Sequence, residues 1–230
     1  MDRRDPGMIG LGLYTIPEAA RLVGVPSRRI RRWVHGYRYR GRDGAEAASE
    51  PLWHADTPAT DTTIGLSFLD MMEVRMVNAF RGHGVSWTVI REAARHACEL
   101  FRDNHPFTMR RFQTDGNRIF GEAAEGRNTR LLDMNRRQWV SKPIVQRSLF
   151  EGIEFDDGQA ARWYPVKSRK VVVDPARSFG RPVLADYGVP TEALFAAFKV
   201  EGSVDKVSRW YDVPKPAVRA AIGFERQVAA

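Results

Sequence analysis

The apolar residues near the start of the chain recur at helical spacing in two short runs. The first run follows Thr15, which can cap a helix, and has Pro17 in its first turn. Its apolar residues fall on one face of the predicted helix, namely Ile16, Ala19, Ala20 and Val23. The turn Gly24-Val25-Pro26 then stops this helix.

The second run starts directly after that turn. Ser27 can cap a helix that runs to about Val34. Its inward face is formed by Ile30, Trp33 and Val34. Two short helices joined by a short glycine-containing turn make a helix-turn-helix. The next residues, 36–42, alternate arginine with tyrosine at the two-residue period of a strand, which predicts a basic wing.

The middle of the chain mixes helical patterns with turn sequences. Residues 43–64 have little periodicity and are predicted to be a loop or linker. Two helices follow, at 67–81 and 86–102, and Ser86 can cap the second. Asp-Gly turns predict two β-hairpins, in the runs RRFQTDGNRIF (110–120) and IEFDDGQAARWYP (153–165).

The remaining segments complete a mainly α fold. Residues 131–150 are predicted to contain a helix interrupted near Pro143, and the C-terminal part begins with a strand and ends in two or three helices, at 191–201, 203–211 and 215 to about 227. We therefore predict three parts: a winged helix-turn-helix domain with its linker (1–64), a helical middle region with two β-hairpins (65–165), and a C-terminal tri-helical, helix-turn-helix-like domain (166–230).

An internal repeat separates the residues that the fold needs from those that it does not. A shift of 188 positions places residues 15–34 over residues 203–222, with Val-Pro at the turn of both copies and apolar residues at matching inward positions. The solvent-facing positions differ. The first copy has Arg28, Arg29, Arg31 and Arg32 where the second has Pro216, Ala217, Arg219 and Ala220. Since the inward set suffices for the fold, the four arginines indicate a function.

Charge points to an anionic partner. The chain has 36 basic and 28 acidic residues, and residues 23–42 contain seven arginines and no acid. Recognition helices present such side chains to base edges in the major groove, and arginine can bond guanine or clamp a phosphate. We predict that the second helix and the wing bind double-stranded DNA through Ser27, Arg28, Arg29, Arg31, Arg32, His35, Arg38, Arg40 and Arg42.

Three alternatives to this prediction stay open. The arginines could form a solvated basic face on an ordinary helical domain, the partner could be RNA, although no aromatic stacking platform is evident, or the chain could be a structural nucleoid protein without sequence preference. A DNA-binding protein with a short site usually dimerises so that two recognition helices lie about 34 Å apart. A homodimer is therefore expected.

The sequence offers little support for catalysis, metal binding or membrane insertion. Cys98 is the single cysteine, the five histidines show no metal-ligand spacing, and no glycine-rich phosphate loop is present. We expect no metal, no cofactor and no enzymatic activity. Asp156 and Asp157 are explained by a turn, and Asp70 and Glu73 by a solvated, ion-paired helix. The longest apolar stretch near the start is too short to span a bilayer, which favours a cytoplasmic protein.

Two segments resemble known families. YTIPEAARLVGVPSRRIRRWV, at residues 14–34, resembles the MerR-type helix-turn-helix. The stretch from 171 to 225 is similar to a small helical family long carried as a domain of unknown function. It matches that family at Asp174, Pro175, Gly180, Pro182, Val189, Pro190, Thr191, Gly202, Ser203, Val207, Tyr211, Val218, Ala221, Phe224 and Glu225. It departs from the family at 185–187, where Ala-Asp-Tyr replaces the usual Gly-Thr-Arg.

The second resemblance implies a function. The family is similar to antitoxins of VapB type, which pair with PIN-like ribonuclease toxins, so it implies a non-catalytic antitoxin that represses its own operon. For the toxin contact we favour Arg177 and Arg181, because an arginine can pair bidentately with the carboxylates of a nuclease. The alternative is a stand-alone MerR-like transcription regulator with a ligand-sensing middle domain.

Overall fold

The computed structural model describes residues 11–40, 44–53, 55–56, 65–125, 145 and 147–229. Helices dominate this part of the chain, joined by four two-stranded antiparallel sheets. Two predictions lie outside the described residues: the position of Arg42 and the helix near Pro143. Of the predicted segment 131–150, the structure shows a short 3-10 helix at Arg147–Phe150.

The predicted helix-turn-helix is present at the start of the chain. Helix α1 (Ile16–Val23) begins with a capping box between Thr15 and Glu18 and ends at Gly24, whose left-handed backbone (φ 67°) closes the last turn. Helix α2 (Ser27–His35) follows. The prediction that Ser27 caps α2 is wrong: Pro26 occupies the cap position without a side-chain hydrogen bond, and Ser27 is already the first helical residue.

The predicted wing is a β-ribbon. Strand β2 (Tyr37–Arg40) pairs antiparallel with β3 (Glu46–Ser49), and a smaller sheet joins β1 (Tyr14–Thr15) to β4 (Gly65–Leu66). The prediction of a structureless loop at 43–64 is therefore wrong where β3 lies. Its Ala- and Glu-rich residues have weak strand propensity, and they form a strand because β2 offers backbone hydrogen-bonding partners.

Three helices form the middle of the molecule. Helix α3 (Phe68–Gly82) and helix α4 (Trp87–Phe101) begin at Ser67 and Ser86, each of which accepts a capping hydrogen bond. Helix α5 (Phe112–Glu125) occupies the segment in which we predicted the first hairpin, so that prediction is wrong.

Packing explains why residues 112–125 are helical. Phe112, Ile119 and Phe120 are fully buried, and the rings of Phe112 and Phe120 lie 6.0 Å apart by centroid. This packing requires glycine at position 116, because a Cβ there would lie only 2.7 Å from Val145 Cγ2. The apolar period therefore outweighs the Asp-Gly turn sequence.

The second predicted hairpin is confirmed. Strands β5 (Ile153–Asp156) and β6 (Gln159–Trp163) pair through a turn at Asp157 and Gly158, which both have positive φ. Strands β7 (Val171–Val172) and β8 (Val183–Leu184) form a further small sheet. A 3-10 turn at Ser178–Gly180 lies between them.

The C-terminal region contains the three predicted helices, α6 (Thr191–Glu201), α7 (Val204–Tyr211) and α8 (Lys215–Ala229). The internal repeat is visible in the backbone. The Val25 and Val213 amides donate to the carbonyls of Ala20 and Ser208, at 3.1 and 3.0 Å. Gly24 and Asp212, again 188 positions apart, both have the left-handed conformation that ends the preceding helix.

Two groups of buried residues hold the described parts together. The larger group includes apolar residues from Tyr14 to Val173 and also Phe224, so the helix-turn-helix and the middle helices share one core. The smaller group lies among α6, α7 and α8. An ion pair of 3.4 Å between Arg21 and the buried Glu225 joins α1 to α8. Within the described residues, no helix is both long and apolar enough to cross a bilayer.

Candidate nucleic-acid interface

Helix α2 is held by its apolar face. Ile30, Trp33 and Val34 are buried in the larger core, and the ring of Trp33 stacks on that of Trp87 at a centroid distance of 5.7 Å. The helix therefore has one fixed orientation relative to α4. Its polar face is left to solvent.

The polar face of α2 is strongly basic. Ser27 is half-buried on this face. The basic side chains of the face are all exposed, namely Arg28, Arg29, Arg31, Arg32 and His35. In the described part of the chain, none of these arginines forms an ion pair with a carboxylate. Like charges this close repel one another, so this face is electrostatically suited to an anion.

A cleft of about 750 Å³ lies beside this helix. Arg28, Arg29 and Arg32 line one side, and the end of α3 contributes Asn78 and Arg81. Arg29 Nη1 donates to Asn78 Oδ1 at 3.3 Å. Among the described residues, four guanidinium groups and no carboxylate line the cleft.

Sequence reasoning missed Asn78 and Arg81 as site residues. The helical period of α3 places both near its C-terminus, but only the packing of α3 against the helix-turn-helix brings them to α2. Arg81 Nη1 donates to the carbonyl of Val85 at 2.6 Å, which fixes its guanidinium at the turn between α3 and α4.

The wing continues the basic surface. The guanidinium of Arg32 lies 4.3 Å from the centroid of the Tyr37 ring, and Arg38 and Arg40 are exposed on β2. Gly36 positions the wing. Its backbone conformation (φ 69°, ψ −171°) is adopted essentially only by glycine, and a Cβ there would lie 2.1 Å from the Ser49 carbonyl oxygen. The wing strand β3 therefore packs directly against the end of α2.

The second copy of the helix-turn-helix lacks this surface. At the positions equivalent to the four arginines of α2, Ala217 is buried, Pro216 and Arg219 are exposed, and Ala220 is half-buried. One cation thus stands where the first copy has four. The copies therefore differ at these four positions, one of which is buried in the second copy, and share the same turn.

A buried polar network lies under the middle region, and it corrects one prediction. Asp70 and Glu73 are buried in α3, not solvated. Asp70 accepts hydrogen bonds from Trp53 Nε1 at 2.7 Å and from the Ser67 amide at 2.9 Å, and it lies 3.1 Å from His105 Nε2. Glu73 accepts from the backbone amide of Phe107 at 2.8 Å. These carboxylates tie separate segments to α3.

Charge and burial shift the pKa values in this network. Burial alone would lower the pKa of His105, but the hydrogen bond to Asp70 and the charges of Glu73, Asp56 and Asp70 raise it to about 9. Burial would raise the pKa of Asp70, yet its hydrogen bonds and the His105 charge hold it below the ordinary value. Burial raises the pKa of Glu73 to about 8.

The network is better suited to structure than to a metal ion. Ligand atoms of Asp56, Asp70 and His105 lie within 4.8 Å of one another, a spacing that could hold a cation. However, Asp56 Oδ2 already accepts from the Ser67 hydroxyl at 2.7 Å, and both oxygens of Asp70 accept hydrogen bonds.

The two arginines predicted to bind a toxin lie around the 3-10 turn at Ser178–Gly180. Arg177 is half-buried and its Nη1 donates to the Ala185 carbonyl at 3.0 Å, whereas Arg181 is exposed. Between them Phe179 has a positive φ of 55° and a side chain that is 70% exposed. A non-glycine residue in this conformation is strained, and here the strain presents an aromatic ring to solvent.

Comparison with known proteins supports a DNA-binding module. A family model described as "Putative DNA-binding HTH domain" matches residues 12–94. This match covers α1, α2, the wing and α3, and it extends into α4. The arginines of α2 and both residues of the α3 side of the cleft therefore fall inside the matched segment.

Similarity to other proteins extends over nearly the whole chain. The chain is 27% identical over 221 residues to "Putative antitoxin VapB45" from Mycobacterium tuberculosis (strain ATCC 25618 / H37Rv). The aligned region covers 91% of this chain and 92% of the relative. The crystal structure of Rv2018 from Mycobacterium tuberculosis has the same fold, with a TM-score of 0.70 and 24% identity over 93% of this chain and 99% of the other. The helix-turn-helix and the middle and C-terminal regions thus occur together in a related protein.

Proposed function

We propose that this chain is the antitoxin of a type II toxin-antitoxin module, which binds operator DNA to repress its own operon and neutralises a PIN-like ribonuclease. One observation carries the DNA-binding half: α2 exposes four arginines that have no carboxylate partner among the described residues, and the second copy of the same motif has one arginine at these positions. The similarity to a protein named as an antitoxin supports the other half. In this proposal the chain acts by binding, without catalysis.

The DNA-binding surface follows from the geometry of α2 and the wing. The N-terminal part of α2 enters the major groove, where Ser27, Arg28 and Arg31 face base edges and Arg29 and Arg32 hold phosphates. His35, Arg38, Arg40 and Arg42 contact the flanking backbone or the minor groove. Asn78 and Arg81 close the far side of the cleft around a phosphate.

A mobility shift on the DNA upstream of the chain's own gene tests this half. We expect one retarded complex that survives an excess of unrelated DNA, because base contacts give a specific affinity well above the non-specific one. Equal affinity for upstream and unrelated DNA would favour a nucleoid protein. A homodimer is expected to protect two half-sites with centres about 34 Å apart.

We place the toxin contact at the turn around Phe179. Its exposed ring, the exposed guanidinium of Arg181 and the half-buried Arg177 give this turn the aromatic and arginine composition typical of the centre of protein interfaces. Arg181 would pair with a carboxylate of the nuclease site. With the proposed domain boundaries at 64–65 and 165–166, the turn around Phe179 lies in the C-terminal domain.

Co-expression with the protein encoded by the neighbouring gene tests the toxin half. We expect a stoichiometric complex with a PIN-like protein that persists at high salt, and Arg181→Ala should weaken it. Because Arg177 also holds the Ala185 carbonyl, Arg181→Ala alone is the cleaner variant. Full inhibition of the toxin by an Arg177→Ala, Arg181→Ala double variant would remove both residues from the interface.

A second cavity favours the alternative of a ligand-sensing regulator. It has a volume of about 310 Å³, is bounded by Arg75, Trp163, Tyr164 and Arg169, and lies in the middle region. Its size is at the lower end of that of small-molecule sites. If the chain purifies alone and still protects one upstream site, this alternative replaces the antitoxin.

A further inference from the structure

The cavity of about 310 Å³ in the middle region has walls that the fold holds in place. Arg75 reaches it from α3, and Trp163 and Tyr164 bound it at the end of β6. The open end of the hairpin is tight there. The Tyr164 amide donates to the Gly152 carbonyl at 2.8 Å, and a Cβ at Gly152 would lie 2.3 Å from the Tyr164 carbonyl oxygen. Such a cavity is largely formed before a ligand binds.

Arg75 brings an unbalanced positive charge to this cavity. Its Nη1 donates to the Leu149 carbonyl at 2.5 Å, and its guanidinium carbon lies 5.4 Å from the centroid of the Trp163 ring. Among the described residues, no carboxylate pairs with Arg75. Burial removes part of the water around this charge and lowers the pKa of Arg75. Since arginine keeps its proton in proteins, an anion that enters the cavity offsets this cost.

Most of the hydrogen-bonding capacity of Arg75 is unused. The bond to Leu149 takes one of its five N–H groups, and the others make no hydrogen bond to another described residue. Within the described part of the chain, the fully enclosed side-chain atoms without a partner are Trp87 Nε1 and Gln159 Oε1, so the remaining nitrogens of Arg75 are accessible. They open into the cavity that Arg75 lines, where a guanidinium can hold a carboxylate or a phosphate by two parallel hydrogen bonds.

The other charged residues of the cavity also favour an anion. Lys167 is exposed and forms no ion pair with a described residue. Arg169 is paired with Glu154 and is therefore less available to a ligand. Glu151 is the acidic residue of the described lining, and it is exposed. Arg75 and Lys167 thus give the lining a net positive charge.

The cavity also has room and apolar surface for the rest of a ligand. Its volume is about ten times that of a water molecule in the liquid, which is more than a bare oxyanion needs. Trp163, Pro165 and Val166 form an apolar wall. A small ring that carries an oxyanion matches this arrangement, because its charged end can reach Arg75 while its ring packs on Trp163.

We propose that this cavity binds a small aromatic oxyanion, a carboxylate or a phosphate monoester, with the anionic group on Arg75 and the ring against Trp163. Lys167 adds a second positive charge that attracts the same group. Binding requires neither DNA nor a toxin, so it is independent of whether the chain is an antitoxin or a regulator. In the regulator alternative, this ligand class is that of the effector.

Isothermal titration calorimetry of the full chain, without DNA or toxin, tests the site with benzoate, phenyl phosphate and the neutral benzamide. At least one of the two anions should bind one-to-one and about tenfold or more tightly than benzamide, as expected for hydrogen bonds to a charged group. The comparison of the two anions tells a carboxylate ligand from a phosphate ligand. Inorganic phosphate, which lacks the ring, should bind more weakly than phenyl phosphate.

Two variants locate the binding. Arg75→Met removes the guanidinium but keeps an apolar side chain, and it should abolish the preference for the anion over benzamide. A variant that is merely less stable would keep this preference. Lys167→Gln should weaken anion binding about threefold. Lys170→Gln is its matched control and should change nothing, because Lys170 is exposed on the same segment but does not line the cavity.

The double variant Arg29→Ala, Arg32→Ala separates this site from the basic cleft beside α2 and should bind the anion as well as the wild type. Anion binding that is lost with Arg75→Met and weakened by Lys167→Gln supports the site. Binding that is lost with the cleft variant instead would overturn it. So would the failure of both anions to bind more tightly than benzamide at millimolar concentration, or equal effects of Lys167→Gln and Lys170→Gln.

Discussion

Arg31 and Arg219 occupy equivalent positions in the two copies of the helix-turn-helix, and both are exposed. They differ in their neighbours: Arg31 lies among three other arginines, and Arg219 stands beside Ala217 and Ala220. Arg31 can therefore serve as the test residue and Arg219 as its matched control.

We predict that Arg31→Ala weakens binding to upstream DNA and that Arg219→Ala does not. If Arg31 contacts a base, the loss should be about 1 to 3 kcal/mol and should appear on the specific site. If it contacts a phosphate, all sequences should bind more weakly and the slope of log affinity against log salt should flatten by about one. Fluorescence anisotropy across a salt series measures both, and equal losses for the two variants would contradict the assignment.

The buried network predicts how stability depends on pH. His105 holds its proton more tightly in the folded state than its ordinary value of 6.5 implies, so its contribution is complete below pH 6.5 and is lost as pH rises through about 9. Glu73, whose pKa is raised to about 8, acts in the same direction because its ionisation is disfavoured in the folded state. Because the effect of Glu73 begins near its ordinary pKa of 4.5 and that of His105 near 6.5, the free energy of unfolding should fall between about pH 4.5 and 9.

Urea unfolding followed by tryptophan fluorescence at a series of pH values measures this dependence. The variant His105→Gln should be less stable at pH 6.5 and should lose the part of the fall that His105 contributes between about pH 6.5 and 9. A wild-type stability that stays constant over this range would show that His105 is not protonated in the folded protein.

At the residue scale, sequence reasoning located the exposed arginines but not this network. Helical spacing was enough to put the four arginines of α2 on the face away from Ile30 and Trp33. It could not show that Asp70 and Glu73 are buried, because their partners Trp53, His105 and Phe107 come from other segments. A buried carboxylate needs a tertiary partner, and a single helix does not contain that information.

At the scale of elements, the junction between α2 and the wing gives a paired test. Gly36 and Gly24 both have positive φ, but a Cβ at Gly36 would collide with the Ser49 carbonyl, and one at Gly24 would meet nothing within 4 Å. Gly24→Ala should therefore cost about 1 kcal/mol of unfolding free energy from backbone strain. Gly36→Ala should cost several times more and displace the wing.

The two substitutions should also differ in DNA binding. Gly24→Ala leaves α2 and the wing in place and should bind upstream DNA nearly as well as the wild type, provided that the protein is folded. Gly36→Ala should lose the contribution of Arg38 and Arg40. Equal affinities for the two variants, measured below their unfolding temperatures, would show that the wing does not contact DNA.

The elements that sequence predicted well are those with a local cause. Capping side chains begin α1, α3 and α4, left-handed residues end α1 and α4, and the left-handed turn of α1 recurs at Asp212 before α8. The prediction failed at α5 and β3 because these two elements are stabilised by contacts with other segments. An Asp-Gly pair at 115–116 has the composition of a hairpin turn, and only the cluster of buried phenylalanines, with Gly116 against Val145, stabilises the helix.

At the scale of the whole molecule, the proposed function places DNA binding and toxin binding on separate surfaces. The arginine face of α2 lies in the first copy of the motif, and the turn around Phe179 precedes the second copy. The repeat could be found in the sequence and shows which residues are surplus to the fold. The shared core from Tyr14 to Val173 could not be found there, because it depends on contacts among distant segments.

One measurement tests this division most directly: growth and promoter activity in cells that express the neighbouring toxin together with the wild type or one of two variants. We predict that the double variant Arg28→Ala, Arg31→Ala still rescues growth but no longer represses the promoter. Arg181→Ala should repress the promoter but rescue growth poorly. If a folded variant loses both activities together, or neither variant changes either activity, the two surfaces are not separate and the central claim is wrong.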